Sequence, residues 1–167
     1  FKGKGGKEWD LDIRNARVAK IVRAAQDVPG QHLFQYLDED GQRREVSSTE
    51  VNDYLRGISG REVTAKDFRT WTGTVLAALA LAEYEAADSE AAARANVREA
   101  IETVAATLGN TPAICRKCYV HPQIIDAYLS GGLKLELREK IADNLKKPDL
   151  RPEEKQVLTF LRRRLKS

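Results

Sequence analysis

Two hydrophobic periods divide this chain. Near its start Trp9, Leu11 and Ile13 alternate with polar partners, a period of two, and Gly5-Gly6 ahead of them supplies turn chemistry. That segment predicts a β-hairpin with Lys4 at its turn. In "NARVAKIVRAAQDV" the period lengthens: Val18, Ile21, Val22 and Ala25 recur at helical spacing. "LFQYLDEDGQRREVS" predicts two short strands around Asp40-Gly41. From there on the pattern is helical. Ser47 followed by Glu50 is a capping box that opens "TEVNDYLRGI", and Thr64 with Asp67 opens a helix over 65–87 in the same way. A third helix runs from a Ser89 cap to a Gly109 stop. Thr111 then caps a short helix with Pro112 in its first turn, and Pro122 ends it and starts another, closed by Gly131 and Gly132. "LKLELREKIADNLKK" and "PEEKQVLTFLRRRL" complete the set as amphipathic helices.

The fold expected is mainly α with a small N-terminal β element (α+β). Residues 1–46 carry the hairpins and one helix, and 47–167 form a helical core. At 167 residues the chain is long enough for one domain with a proper core. Its longest apolar run, 75–82, is far short of a membrane span. Two cysteines and no secretory pattern point to a reducing, cytoplasmic setting without membrane contact. The chain opens "FKGKGGKEW" without Met, which reads as an excised domain. Net charge is only +3, but it is uneven. Residues 131–167 hold 11 basic against 6 acidic side chains, whereas 81–107 hold 2 against 6. Such polarity suits one face on a polyanion and another in water.

"CRKCYVH", residues 115–121, is the stretch richest in reactive side chains. A structural zinc site needs four ligands, led by thiolate and imidazole. Here Cys115, Cys118 and His121 are near one another and the only other His, His32, is remote, so no metal is expected. A thioredoxin-like dithiol needs a βαβ setting, and these cysteines lie in a helical stretch; both read as small packing residues. Tyr119 differs. It falls at the end of a short helix between two prolines, where the chain must bend, with Arg116 and Lys117 beside it. That is a place to present a nucleophile in positive surroundings.

Three separated motifs, "FKGKGGK", "TAKDFRTWTGT" and "LGNTPAICRKCYVHP", together resemble the catalytic domain of type IB DNA topoisomerases, in the bacterial branch similar to the poxvirus enzymes. "VNDYLR" and "LFQYLDEDG" fit as well, and the likeness runs from residue 1 to about residue 133. It implies the catalytic core shared by tyrosine recombinases and these topoisomerases. It also implies relaxation of supercoiled duplex DNA through a transient single-strand break, by a monomer associated with the nucleoid. Carried over residue by residue, it makes Tyr119 the nucleophile that forms a 3′-phosphotyrosyl bond. Arg69 becomes one of two arginines that bind the non-bridging phosphate oxygens, and Lys4 the lysine that protonates the departing 5′ oxygen. Asn110 falls where many members have His. The covalent bond conserves energy for religation, so neither nucleotide nor metal is required. Lys66, Arg116 and Lys117 are the further candidates for contact with DNA.

Elementary chemistry supports the same assignments. A phosphodiester gains charge on its non-bridging oxygens as it becomes pentacoordinate, and a guanidinium meets it with two parallel hydrogen bonds. The leaving alkoxide needs a proton, which a lysine can supply. Two departures stand out. Asn110 can donate a hydrogen bond but cannot shuttle a proton. The family's other arginine lies upstream of the lysine hairpin and so, with the small N-terminal DNA-binding domain, outside this sequence; the chain alone is therefore expected to be severely impaired. Two alternatives remain at this level. A tyrosine recombinase or integrase has similar spacing, with Lys66 to Arg69 resembling its His-x-x-Arg box and "LGN" its "LGH". The other is a non-catalytic DNA-binding module.

Overall fold

The structure, a computed structural model, describes residues 14–27, 30, 32–84, 87–133 and 150–166, together with Glu8 and Asp10. The opening hairpin, with Lys4, Trp9, Leu11 and Ile13, and the helix expected over 133–147 lie outside the described residues, save Leu133 at its start. The fold class is as expected: among the described residues there are seven helices and one two-stranded antiparallel sheet. The chain forms two compact units, Phe1–Ala65 and Lys66–Ser167. The division falls one helix later than the change from mixed to helical pattern.

In the first unit Asn15 accepts from the Val18 N–H and starts α1, Ala16–Gln26. Strands β1, Gln35–Leu37, and β2, Arg43–Glu45, pair with Tyr36 opposite Arg44. Asp38 makes the turn between them. Its carboxylate accepts from the Asp40 and Gln42 N–H groups and from Arg44 Nε at 2.8 Å. The Arg44 hydrogen bond, with the one from Gln42, holds its pKa below the usual carboxylate range. Helix α2, Ser48–Ser59, carries the complete Ser47–Glu50 capping box. Tyr36 donates its O–H to Glu50 at 2.8 Å, which ties the hairpin to the start of α2.

The second unit holds the core. Helix α3, Ala65–Ala82, supplies Val75, Ala77, Ala78 and Leu81. Helix α4, Glu90–Leu108, supplies Val97, Ala100, Ile101, Val104 and Ala105, a stripe at helical spacing. The alanines let helix backbones approach closely. Helices α5, Pro112–Cys118, and α6, Pro122–Leu129, pack against α4 and add Cys115, Ile124 and Ile125. Helix α7, Pro152–Arg164, seats Val157 and Leu161 in the same cluster. Trp71 on α3 donates its indole N–H to Glu154 on α7 at 3.0 Å, so α7 is fastened to α3 next to Arg69.

One local difference from the sequence pattern concerns the end of a helix. Helix α3 stops at Ala82 instead of continuing to 87, and the Tyr84 side chain turns in against the core. Burial of that ring against the core competes with continuation of the helix through Glu83 and Tyr84. Tyr119 lies at the end of α5, as the pattern predicts, and caps it at φ −128° and ψ −2°.

Candidate active site

Three of the residues singled out by sequence, Arg69, Asn110 and Tyr119, meet around the C-terminal end of α4. That helix ends in a Schellman motif: Gly109, at φ 67°, donates to Ala106 O, and the Asn110 N–H donates to Ala105 O at 2.9 Å. Gly109 serves here because the left-handed region costs it nothing. The turn leaves the Leu108 carbonyl at the negative end of the helix dipole. Two donors converge on that oxygen: Arg69 Nη2 at 2.7 Å and Asn110 Nδ2 at 3.1 Å. The Arg69 guanidinium also lies over the Tyr119 ring, its Cζ 5.1 Å from the ring centroid. A guanidinium carries five N–H donors, so the bond to Leu108 leaves others for an anion.

The backbone of Tyr119 rests on α3. Gly73 packs so closely against it that an added Cβ would stand 2.4 Å from Tyr119 O. Thr70 Oγ1 lies 3.3 Å from Cys118 O, and Thr74 Oγ1 lies 3.5 Å from Tyr119 O and accepts the His121 N–H at 3.1 Å. Both hydroxyls have a nearer acceptor on α3 itself, Lys66 O at 3.1 Å for Thr70 and Thr70 O at 2.7 Å for Thr74, so the Cys118 and Tyr119 carbonyls are their longer neighbours. His121 serves as the N-cap of α6, its Nδ1 accepting from the Gln123 N–H.

Arg69, Asn110 and Tyr119 are thus brought together by α3, the α4 terminus and the end of α5. Lys66, Arg116 and Lys117 are exposed. The cation at the Tyr119 ring is Arg69, from a different helix, and not one of the α5 pair. Cys115 is fully buried, and burial pushes its thiol pKa up while the Arg69 guanidinium pulls it down. A thiol held neutral in this way is a packing residue and not a redox group. Among the described residues no cluster of three or more His, Cys, Asp or Glu could hold a metal. Sequence reasoning did not find the Leu108 carbonyl, Thr70, Gly73 or Thr74. A backbone carbonyl leaves no side-chain signal, although "RTWTGT" does place Arg69, Thr70, Gly73 and Thr74 on one helical face.

The profile of the family described as eukaryotic DNA topoisomerase I, catalytic core, matches residues 1–148. The chain belongs to the type IB DNA topoisomerase family. DNA topoisomerase 1B of Acanthamoeba polyphaga mimivirus is 30% identical to it over 135 residues, which is 77% of this chain and 40% of that protein. The chain therefore spans about two-fifths of the length of that topoisomerase. The match covers Arg69, Asn110 and Tyr119. None of the described helices is long and apolar enough to cross a membrane.

Proposed function

We propose that the protein containing this chain relaxes supercoiled duplex DNA as a type IB topoisomerase, with Tyr119 as nucleophile. What supports the reading best is the placement of the Arg69 guanidinium over the Tyr119 ring, with Asn110 donating to the same carbonyl as Arg69. The Tyr119 oxygen attacks phosphorus; the new P–O bond forms as the P–O5′ bond breaks. The phenol gives up its proton and the departing 5′ oxygen takes one. In this reading Lys4 supplies the second proton. Arg69 donates to the non-bridging oxygens as they gain charge, which stabilises the pentacoordinate state more than the ground state. Asn110 has two N–H donors on Nδ2 and can turn one to the phosphate while the other holds Leu108 O. Religation reverses these steps. Lys66, Arg116 and Lys117 contact phosphates, positioning the duplex without reading its sequence. The protein works as a monomer in the cytoplasm, on the nucleoid.

The deciding experiment incubates full-length protein with a suicide duplex in EDTA, and separately with supercoiled plasmid lacking ATP. Denaturant-resistant adduct and plasmid relaxation, without strand exchange between two duplexes, are expected. Strand exchange would favour a recombinase, and absence of adduct a DNA-binding module. Asn110→Ala is expected to slow single-turnover cleavage roughly ten- to a hundredfold, the worth of one hydrogen bond to a charged oxygen. Asn110→His, which restores a donor, is expected to cleave near the wild-type rate. An Ala variant at full speed would remove Asn110 from the mechanism.

A further inference from the structure

We infer that Thr74 is a positioning residue for the nucleophile, fixing Tyr119 relative to Arg69 through its hydroxyl; this rests on the reading of Tyr119 proposed above. Thr74 is 2% exposed and sits on α3 five residues after Arg69. Its hydroxyl has one proton and two lone-pair sites. The proton goes to the nearer carbonyl, Thr70 O at 2.7 Å, with Tyr119 O at 3.5 Å as a second, longer neighbour. A lone pair accepts the His121 N–H at 3.1 Å. The result is a relay from the His121 amide through Thr74 to the backbone of α3 at Thr70. It anchors the segment just beyond Tyr119 to the turn of α3 that carries Arg69.

The anchor matters because the buried Val120 side chain holds the segment to the core, whereas the Thr74 hydroxyl ties its backbone directly to the helix that carries Arg69. Tyr119 is a helix cap with non-helical backbone angles, between a seven-residue helix and an eight-residue one. The Tyr119 N–H is bonded to Cys115 O at 2.9 Å, which fixes the chain before the residue. What fixes it afterwards is burial of Val120 in the core together with the Thr74 relay, with the Gly73 backbone as the surface it lies on. Thr70, with its hydroxyl 3.3 Å from Cys118 O, adds a second contact one turn earlier. One face of α3 therefore touches the ring of Tyr119 through Arg69 and its backbone through Gly73 and Thr74. In-line attack tolerates little displacement, and an error of about 1 Å in such geometry can cost on the order of a hundredfold in rate.

The test separates hydroxyl from packing. Thr74→Val keeps the shape and loses the hydroxyl; Thr74→Ser keeps the hydroxyl and loses a methyl group. Both are made in the full-length protein, alongside Thr70→Val as a milder variant at a half-buried site. Thermal stability, DNA Kd and single-turnover cleavage are measured for each. Thr74→Val is expected to cleave roughly ten- to a hundredfold more slowly with Kd within about twofold of wild type. Thr74→Ser is expected to recover most of the rate even where its Tm falls. A purely structural role would make rate follow Tm instead, and that result would overturn the inference, as would Thr74→Val at the wild-type rate. If Thr74→Val does not fold, Thr70→Val decides: slower cleavage with unchanged Kd supports the clamp, and an unchanged rate overturns it. Wild-type protein giving no adduct at Tyr119 would remove the nucleophile assignment itself, and the inference with it; that outcome is distinct because it appears before any α3 variant is compared.

Discussion

Replacing Tyr119 by Phe is expected to abolish covalent capture of DNA while leaving the fold and non-covalent binding in place. The groups that hold residue 119 are its backbone and its ring. The N–H bonds to Cys115 O, the carbonyl lies against Gly73, and the ring lies under Arg69. Phe keeps all three, so Tm and DNA affinity should stay within about the spread of neutral substitutions, ~0.5 kcal/mol. What disappears is the single oxygen that can bond to phosphorus. The Cys115 thiol, one helical turn back, does not replace it, because burial raises its pKa and holds it neutral.

Three of the other four tyrosines make poor substitutes, which sharpens the expectation. Tyr36 donates to Glu50, and that hydrogen bond raises its pKa. Burial, and then a hydrogen bond to Glu99, raise that of Tyr84. Tyr128 accepts from Asn96 at 2.7 Å. A carboxylate beside a phenol repels a phosphodiester, whereas the guanidinium beside Tyr119 attracts one. The check is adduct formation on a suicide duplex, followed by peptide mapping of the phosphotyrosyl residue. Adduct persisting in Tyr119→Phe, or mapping to another tyrosine, would refute the assignment.

Much of the fold could be read from local signals. The capping box at Ser47 and Glu50, the Ser89 and Thr111 caps, the Gly109 stop and Pro112 each act within one turn of chain, so sequence alone places them. Arg69, Asn110 and Tyr119 came from motif wording. The meeting of Arg69 and Asn110 on one carbonyl, with Arg69 over the Tyr119 ring, did not, because it depends on how α3, the end of α4 and the end of α5 pack. The same limit explains the cations. Arg116 and Lys117 are next to Tyr119 in sequence, yet both are exposed and Arg69 from α3 reaches the ring. Helix α3 was read too long because Ala and Glu favour helix locally, while the turn at Tyr84 is decided by the core it packs on. The hydroxyls of Thr70 and Thr74 bond back to carbonyls one turn earlier on α3, as helix threonines ordinarily do; their further contacts are with backbone atoms of a segment distant in sequence, which no local pattern shows.

Arg69→Ala is expected to lower the single-turnover cleavage rate by about 10²–10³, the usual result of removing one donor from a preorganised anion site. The substitution takes away positive charge where the phosphate gains negative charge, and a fork that can bind two oxygens at once. Arg69→Lys tests which of these dominates. Lysine restores the charge but presents a compact ammonium on a flexible stem, without the planar donors that reach Leu108 O while facing the ring. Recovery of no more than a small part of the rate is therefore expected. DNA binding should change far less, because a duplex is held through many phosphates and Arg69 supplies one contact among them. Stability should also change little, since Arg69 is exposed and its bond to Leu108 O is worth about 1 kcal/mol in that setting. The separation is the informative part. An arginine that merely steered DNA to the surface would weaken Kd and its salt dependence with the cleavage rate at saturation intact. One that acts on the pentacoordinate phosphate leaves Kd near its starting value and lowers the saturated rate. Free guanidinium added to Arg69→Ala should then restore part of that rate. Arg69→Lys cleaving at the wild-type rate would show that charge alone suffices, and would reduce the stacked geometry over Tyr119 to a packing contact.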